Sequence, residues 1–226
     1  MELFGQTEPE TNNSVRFLGI DLEIHGDVLR PRMETELLGR AARQLLDEIE
    51  PAPVCVDMCC GSGNLAIALA THCADACVRA CDLSGDAIIT TRHNVLRLGL
   101  EKRIVALQGD MFVPLQGTGL ERQVDLIVCN PPYISTSRLL SGDRAHLLDG
   151  EPREAFDGGP YGVTLHIRLI NESVTYLKTG GWLAFEFGLG QDRQIAALLS
   201  RSCAFEAPLW HKNAEGDNRV VYARKI

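Results

Sequence analysis

The sequence predicts an α/β fold: a mostly parallel, doubly wound sheet with helices on both faces and an antiparallel hairpin at its C-terminal end. Three observations carry that reading. From residue 53 onward, short apolar runs alternate with stretches whose apolar residues recur at helical spacing. A glycine turn joins the first such run to the helix that follows it, in the strand-helix order of a parallel sheet. The last two strand-like runs are separated only by AEGDN, too short for a crossover and suited to a hairpin.

Taken in order, residues 1–14 (MELFGQTEPETNNS) are polar and aperiodic and read as a mobile tail, leaving 15–226 as one domain. FLGIDLEIHGDVL alternates apolar and polar residues, and reads as a short N-terminal β-hairpin turning at His25-Gly26-Asp27. From Glu34 the apolar positions Leu37, Leu38, Ala41, Ala42, Leu45 and Leu46 mark a helix that ends before Pro51. PVCVDM, VRACDLS, RIVALQGDMF and VDLIVCNPPY read as the next four strands, with GSGNLAIALATH and GDAIITTRHNVLRLGL as helices between the first three. A long polar segment follows. Then YGVTLHIRLINESVTYLKT reads as a helix, GGWLAFEFG as a strand, GQDRQIAALLSRS as a helix, and FEAPLWHK and RVVYARKI as the closing pair. That makes seven strands in the main sheet.

Composition narrows the function classes. Of 226 residues 45% are hydrophobic and 23% charged, so neither disorder nor a fibrous class is indicated. The clean apolar run Leu65–Ala70 is far short of a membrane span, and residues 1–20 contain no signal-peptide core; a soluble, cytoplasmic protein is expected. The net charge of −8 disfavours general attraction to nucleic acid. Eight cysteines in such a chain are expected to be reduced. Cys73, Cys77 and Cys81, with His72 nearby, invite a zinc reading, but without a CxxC pair core packing is the better one. His25, His72, His93, His146, His166 and His211 match no catalytic or metal spacing, and no metal is expected.

Three strand tips carry polar residues that suggest chemistry. Asp57-Met58-Cys59-Cys60-Gly61-Ser62-Gly63 follows a strand and opens a helix, where glycines admit close backbone approach and free N–H groups face a ligand. Position 66 is Ala rather than the third glycine of a dinucleotide fingerprint, and no Walker lysine follows. Asp82 ends the second strand, where an acid can accept from ribose hydroxyls. Asp110 ends the third, followed by Met111 and Phe112, which could border an adenine; singly, each acid also reads as a cap or turn residue. VCNPPY ends the fourth. Its prolines stop the strand ladder and leave Asn130 at a rigid tip, where open α/β sheets hold ligands.

These motifs together resemble the class I S-adenosylmethionine-dependent methyltransferases, with their Rossmann-like fold, and within them the HemK-like protein-glutamine methyltransferases. FLGIDLEIHGDVLRPRMETELL, EPREAFDGG with the following Gly162, and EGDNRVVYA support the narrower likeness, so that matched motifs run in family order from residue 17 to 224. The resemblance implies S-adenosylmethionine as cofactor, held by Asp57, Cys59, Gly61, Gly63, Asp82, Asp110, Met111 and Asn130, and catalysis by Asn130, Pro131 and Tyr133. An amide nitrogen is a poor nucleophile because its lone pair is conjugated. The Asn130 side-chain oxygen and the Pro131 carbonyl would both accept from one NH₂ group, while the Tyr133 ring covers the planar acceptor. Alignment of this kind is worth ~7 to 11 kcal/mol of barrier. Arg32, Glu34, Thr35 and Glu36 are implied to form a lid or pocket wall, though Thr35 and Glu36 also read as first-turn helix residues, and Glu151 to Gly159 to shape the acceptor side.

The pattern is broken in places. Met33 replaces the second proline of the usual PRPxTE, Cys60 departs from the usual glycine turn, Phe156 replaces a leucine, and Tyr161 stands where an acid is usual. Release-factor enzymes of the family carry a helical N-terminal domain that grips the protein substrate, where only residues 1–16 precede the match here; a partner subunit is one candidate for that grip. A glutamine-bearing protein is the leading acceptor. The alternatives are a small-molecule enzyme, including closure of the cofactor itself to azetidine-2-carboxylate; an enzyme acting on exocyclic amines of DNA or RNA, disfavoured for want of a basic track; and a non-catalytic nucleoside binder.

Overall fold

The structure is a computed structural model and describes residues 13–49, 51–141 and 151–226. A small antiparallel hairpin comes first, β1 (Ser14–Phe17) with β2 (Ile20–Glu23). Then follow α1 (Thr35–Asp47), β3 (Val54–Met58), α2 (Asn64–His72), β4 (Cys77–Asp82), α3 (Gly85–Arg97), β5 (Ile104–Gln108) and β6 (Val124–Cys129). After these come α4 (Thr136–Leu140), α5 (Thr164–Tyr176), β7 (Leu177–Glu186), α6 (Asp192–Ser202), β8 (Leu209–Lys212) and β9 (Asn218–Arg224). The main sheet has seven strands in the order β5-β4-β3-β6-β7-β9-β8, with β9 antiparallel to both neighbours and the rest of the ladder parallel. The doubly wound sheet with a C-terminal antiparallel hairpin is the expected one.

Two cores explain why β3 and β6 read as near-continuous apolar runs: both faces are covered. On one face Leu38, Leu45, Leu65, Leu69 and Ile88, from α1, α2 and α3, pack on the sheet. On the other Leu169 and Ile170 of α5 and Ile195 and Leu199 of α6 do so. Among the described residues no helix is long and apolar enough to cross a membrane.

Five details correct the sequence reading. The hairpin turns at Leu18-Gly19, not at His25-Gly26-Asp27; both residues have positive φ, +47° and +84°, which suits the twist of a two-residue turn. A leucine there gives no turn signal. It is held by tertiary contacts: its amide donates to Glu36 Oε1 at 2.9 Å and its side chain packs on the core. Helix α5 stops at Tyr176, and Leu177-Lys178-Thr179 open β7 instead. The closing strand FEAPLWHK shortens to Leu209–Lys212, with Phe205 in an isolated bridge to Lys225. Of the cysteines, Cys81 is buried and Cys73 half-buried, whereas Cys77, expected in the core, is exposed. The expected tail lies outside the described residues as far as residue 12; Ser14 already pairs in β1, and Asn13 accepts from the Ile24 amide at 2.9 Å.

Candidate active site

Chain direction across the sheet reverses between β3 and β6, which run parallel with Met58 beside Cys129. This is the switch point at which open α/β sheets leave a crevice. Two cavities open there. The first, of about 400 Å³, is lined by Cys59, Gly61, Asp82, Asp110, Met111 and Asn130 among others. The second, of about 330 Å³, is lined by Arg32, Glu34, Pro131, Tyr133, Glu186 and Arg219 among others. Asn130 and Pro132 line both, so the NPPY tip is the partition between them.

The glycine turn is shaped for a ligand on one side only. Gly61 has φ +54° and open space where a Cβ would stand. Gly63, at φ +79°, caps α2 and faces inward: a Cβ there would meet Thr91 at 2.9 Å, so close packing against α3 is what requires it. Cys59 takes φ +59°, a left-handed conformation that costs a non-glycine residue about 1–2 kcal/mol. Asp57 is fully buried beneath the turn and accepts from the Ala66 amide at 2.8 Å; its Oδ1 has no partner, and burial pushes its carboxyl up to about 8. Neither Asp57 nor Gly63 lines the cavity.

Asp82 does line it. Its oxygens accept from the Gly61 and Ser84 amides, each at 2.9 Å; burial raises its pKa, opposed by those bonds and by the Leu83 amide. A carboxylate has about four acceptor sites, so acceptor capacity remains for a hydroxyl. Asp110 is bound by a side chain that sequence reasoning missed: Arg168 Nη1 of α5 donates to both its oxygens, at 2.7 and 2.9 Å. The open glycine turn, the partly used Asp82 carboxylate and the cavity volume fit an adenosine-bearing cofactor.

On the other side of the tip lies a buried polar chain. Asn130 Nδ2 donates to Thr35 Oγ1 at 2.9 Å, and Thr35 donates to Glu186 Oε2 at 2.9 Å. Tyr133 donates to Glu186 Oε1 at 3.3 Å, and Arg219 donates to both Tyr133 Oη and Glu186 Oε1 at 3.2 Å, its guanidinium 5.7 Å from the ring centre. Burial raises the Glu186 pKa, against the Thr35 bond and the Arg219 charge. Burial, and then Glu186, pushes the Tyr133 phenol up to about 12. Because Thr35 gives its only proton to Glu186, its oxygen can serve Asn130 solely as acceptor. That assigns the amide: Nδ2 faces Thr35, and Oδ1 is the other end.

The surrounding loops hold this arrangement. Gln191 Nε2 donates to the Tyr133 carbonyl at 3.0 Å, and Gly162 is needed where a Cβ would meet that carbonyl at 2.4 Å. The Glu151–Gly159 segment runs beside the tip through the Ile134–Asp157 bridge, and Glu151 accepts from Arg32 and from the Arg30 amide. Glu36 lies apart from both cavities, holding the Leu18 turn and pairing with Arg40. Met33 and Tyr161 are exposed, at 82% and 79%. Glu186 was missed although it had a signal: an acid inside the apolar run LAFEF that is only 2% exposed.

The methyltransferase small domain model matches residues 36–144. A release factor glutamine methyltransferase of Clostridium botulinum is 32% identical over 216 residues, 94% of this chain and 73% of that one. The chain belongs to the release factor glutamine methyltransferase family. Further members of that family match at 36% identity in Synechocystis, over 91% of this chain and 69% of that one, and at 37% in Moorella thermoacetica. The chain spans 62% of the Moorella relative's length. Among solved structures, the protein-(glutamine-N5) methyltransferase of Alicyclobacillus acidocaldarius has a TM-score of 0.52 at 23% identity, covering 90% of this chain and 99% of that one. A Thermus thermophilus 16S rRNA N2 G1207 methyltransferase bound to AdoMet and guanosine has a TM-score of 0.65 at 21% identity, covering 94% and 50%. At those identities the structures speak for the fold, that of the class I methyltransferases. Family membership makes this a methyltransferase, and AdoMet is the cofactor that the Thermus thermophilus structure holds in the same fold.

Proposed function

We propose that this chain methylates the side-chain amide nitrogen of a glutamine in a protein, with a release factor as the first candidate, and that the NPPY tip orients that nitrogen. The single observation that carries the reading is the bond from Asn130 Nδ2 to Thr35 Oγ1 at the partition between the two cavities. The cofactor, when bound, supplies a methyl group already activated by its sulfonium. Everything else is work for the protein. Gly61, Asp82, Asp110 and Met111 hold the donor on one side; Asn130 Oδ1 and the Pro131 carbonyl accept from the acceptor NH₂ on the other. Two acceptors on one NH₂ group fix its plane and so aim the face that carries its lone pair at the donor. Tyr133, tied by its hydroxyl to Glu186 and Arg219, closes the acceptor cavity and excludes water.

Mass spectrometry of the purified chain with S-adenosylmethionine tests the reading. A glutamine-bearing release factor should gain one methyl group on a glutamine, the S–CH₃ bond breaking as the N–CH₃ bond forms, with demethylated cofactor formed in step and one amide proton released to solvent. Methylthioadenosine released without any acceptor would replace the reading with ring closure of the cofactor, and methylated nucleic acid as the sole product would replace it with base methylation.

A further inference from the structure

After β2 the chain crosses α3 and then lines the cofactor cavity with Asp27, Val28 and Leu29. At the crossing three side chains converge. Glu23 Oε2 lies 2.7 Å from His93 Nε2 and 3.4 Å from His25 Nε2. The two imidazoles meet edge to face, centres 4.3 Å apart, and the three ligand atoms all lie within 4.8 Å of one another. Arg97 Nε stands 3.7 Å from the other carboxylate oxygen, Oε1, and so turns Oε2 toward the rings. His25 Nε2 is shielded from solvent and points into this cluster, where its 3.4 Å approach to Glu23 Oε2 falls short of hydrogen-bond geometry. A shielded ring nitrogen whose partner is this poorly placed leaves room for a better one.

We propose that Glu23, His25 and His93 bind a divalent transition-metal ion of the zinc class through two imidazole Nε2 atoms and one carboxylate oxygen. Two imidazoles and a carboxylate suit zinc, whereas magnesium and calcium prefer all-oxygen sites. With bonds of roughly 2.0–2.2 Å, tetrahedral donors stand about 3.3 Å apart. The His25–Glu23 separation already meets that; the His93–Glu23 pair opens slightly as the proton it shares is released to solvent. Each side chain is about two-fifths exposed, so the ion enters directly from water. The site is distinct from the transfer chemistry, and its role is a staple. The crossing segment is otherwise held by a small cluster of Ile24, Val28 and Ala87 and by hydrogen bonds to α3: Asn94 with the Glu23 backbone at 2.8 and 2.9 Å, the Thr90 hydroxyl on the His25 carbonyl at 2.6 Å, and Asp86 on the Asp27 amide at 2.9 Å. An ion there ties the wall of the cofactor cavity to α3.

Cobalt(II) titration of the chelator-treated full chain tests this and separates it from binding by the eight thiols. The expected result is one ion per chain, visible bands without thiolate charge transfer, and a raised Tm, as ligand linkage requires. His25→Ala and His93→Gln should each weaken binding at least about tenfold, while His72→Ala leaves it unchanged. His93→Gln keeps a donor to Glu23, and circular dichroism with cofactor affinity verifies that each variant is folded. No ion bound at sub-millimolar cobalt or zinc, thiolate bands in the complex, or affinity unchanged in both variants would each overturn the site.

Discussion

Thr35 Oγ1 accepts from Asn130 Nδ2 at 2.9 Å, joining the first turn of α1 to the tip of β6 across 95 positions of sequence. Thr35 is 2% exposed and its own proton goes to Glu186. The asparagine amide therefore has one orientation, set from behind by residues outside the NPPY motif.

Thr35→Val keeps the side-chain shape and removes the hydroxyl. It leaves Asn130 Nδ2 and one Glu186 oxygen without partners, a loss of ~1–3 kcal/mol for each buried group. Turnover should fall roughly 10- to 100-fold, a tenfold loss for each ~1.4 kcal/mol, with cofactor affinity near wild type. Thr35→Ser should restore most of it. Equal losses in Thr35→Val and Thr35→Ser would mean that packing, not the hydroxyl, matters at this position.

On the cofactor side, calorimetry with S-adenosylmethionine should separate two acids. Asp82→Ala removes a buried acceptor worth ~1.5–3 kcal/mol to a bound hydroxyl, so affinity should drop about 10- to 100-fold. Asp110→Ala should cost less, because Arg168 already engages both Asp110 oxygens and the side chain is more exposed. Unchanged affinity in Asp82→Ala would remove it from the ribose role.

Stability should depend on pH through two buried groups of opposite sign. Burial raises the Asp57 carboxyl from 3.8 to about 8, so the folded chain keeps a proton that the unfolded chain has lost. That contribution is full below the ordinary carboxylate value and disappears as pH rises toward about 8. Burial lowers His166 from 6.5 to about 4, with Nε2 donating to the Glu186 carbonyl at 3.0 Å. Its contribution is full above 6.5 and disappears as pH falls toward about 4. Urea titrations across this range should show Asp57→Asn flattening the alkaline loss and His166→Gln the acid loss. A slope unaltered by either variant would contradict the assignment.

Thiol labelling checks the cysteine placement. In the native chain Cys77 and Cys203 should react first, because they are exposed, while Cys55, Cys60 and Cys129 are buried and held protonated by desolvation. Peptide mapping that finds Cys60 or Cys129 labelled as fast as Cys77 would refute the packing around the glycine turn.

The sheet was legible because its strands are apolar on both faces and bounded by turn residues, and Asp82 and Asn130 were legible because a strand tip is a local feature. Features made by distant partners were not. Glu36 stabilises a turn whose first residue, Leu18, carries no turn signal of its own. Arg168 reaches Asp110 from 58 positions away, and Glu23 meets His93 from 70. Asp57 and Gly63 belong to the same motif as Gly61, but face the core, and the motif does not reveal which of its residues turn inward.

The most direct test of the central claim is the turnover of Asn130→Ala on a glutamine-bearing release factor, with cofactor affinity measured on the same preparation. Asn130 stands at a loop tip past the end of β6, so the fold should survive. Loss of an aligned acceptor pair predicts a fall in turnover of about a thousandfold or more, roughly 4 kcal/mol, with S-adenosylmethionine still bound. Wild-type turnover in this variant would contradict the account of how the NPPY tip presents an amide nitrogen to the methyl donor.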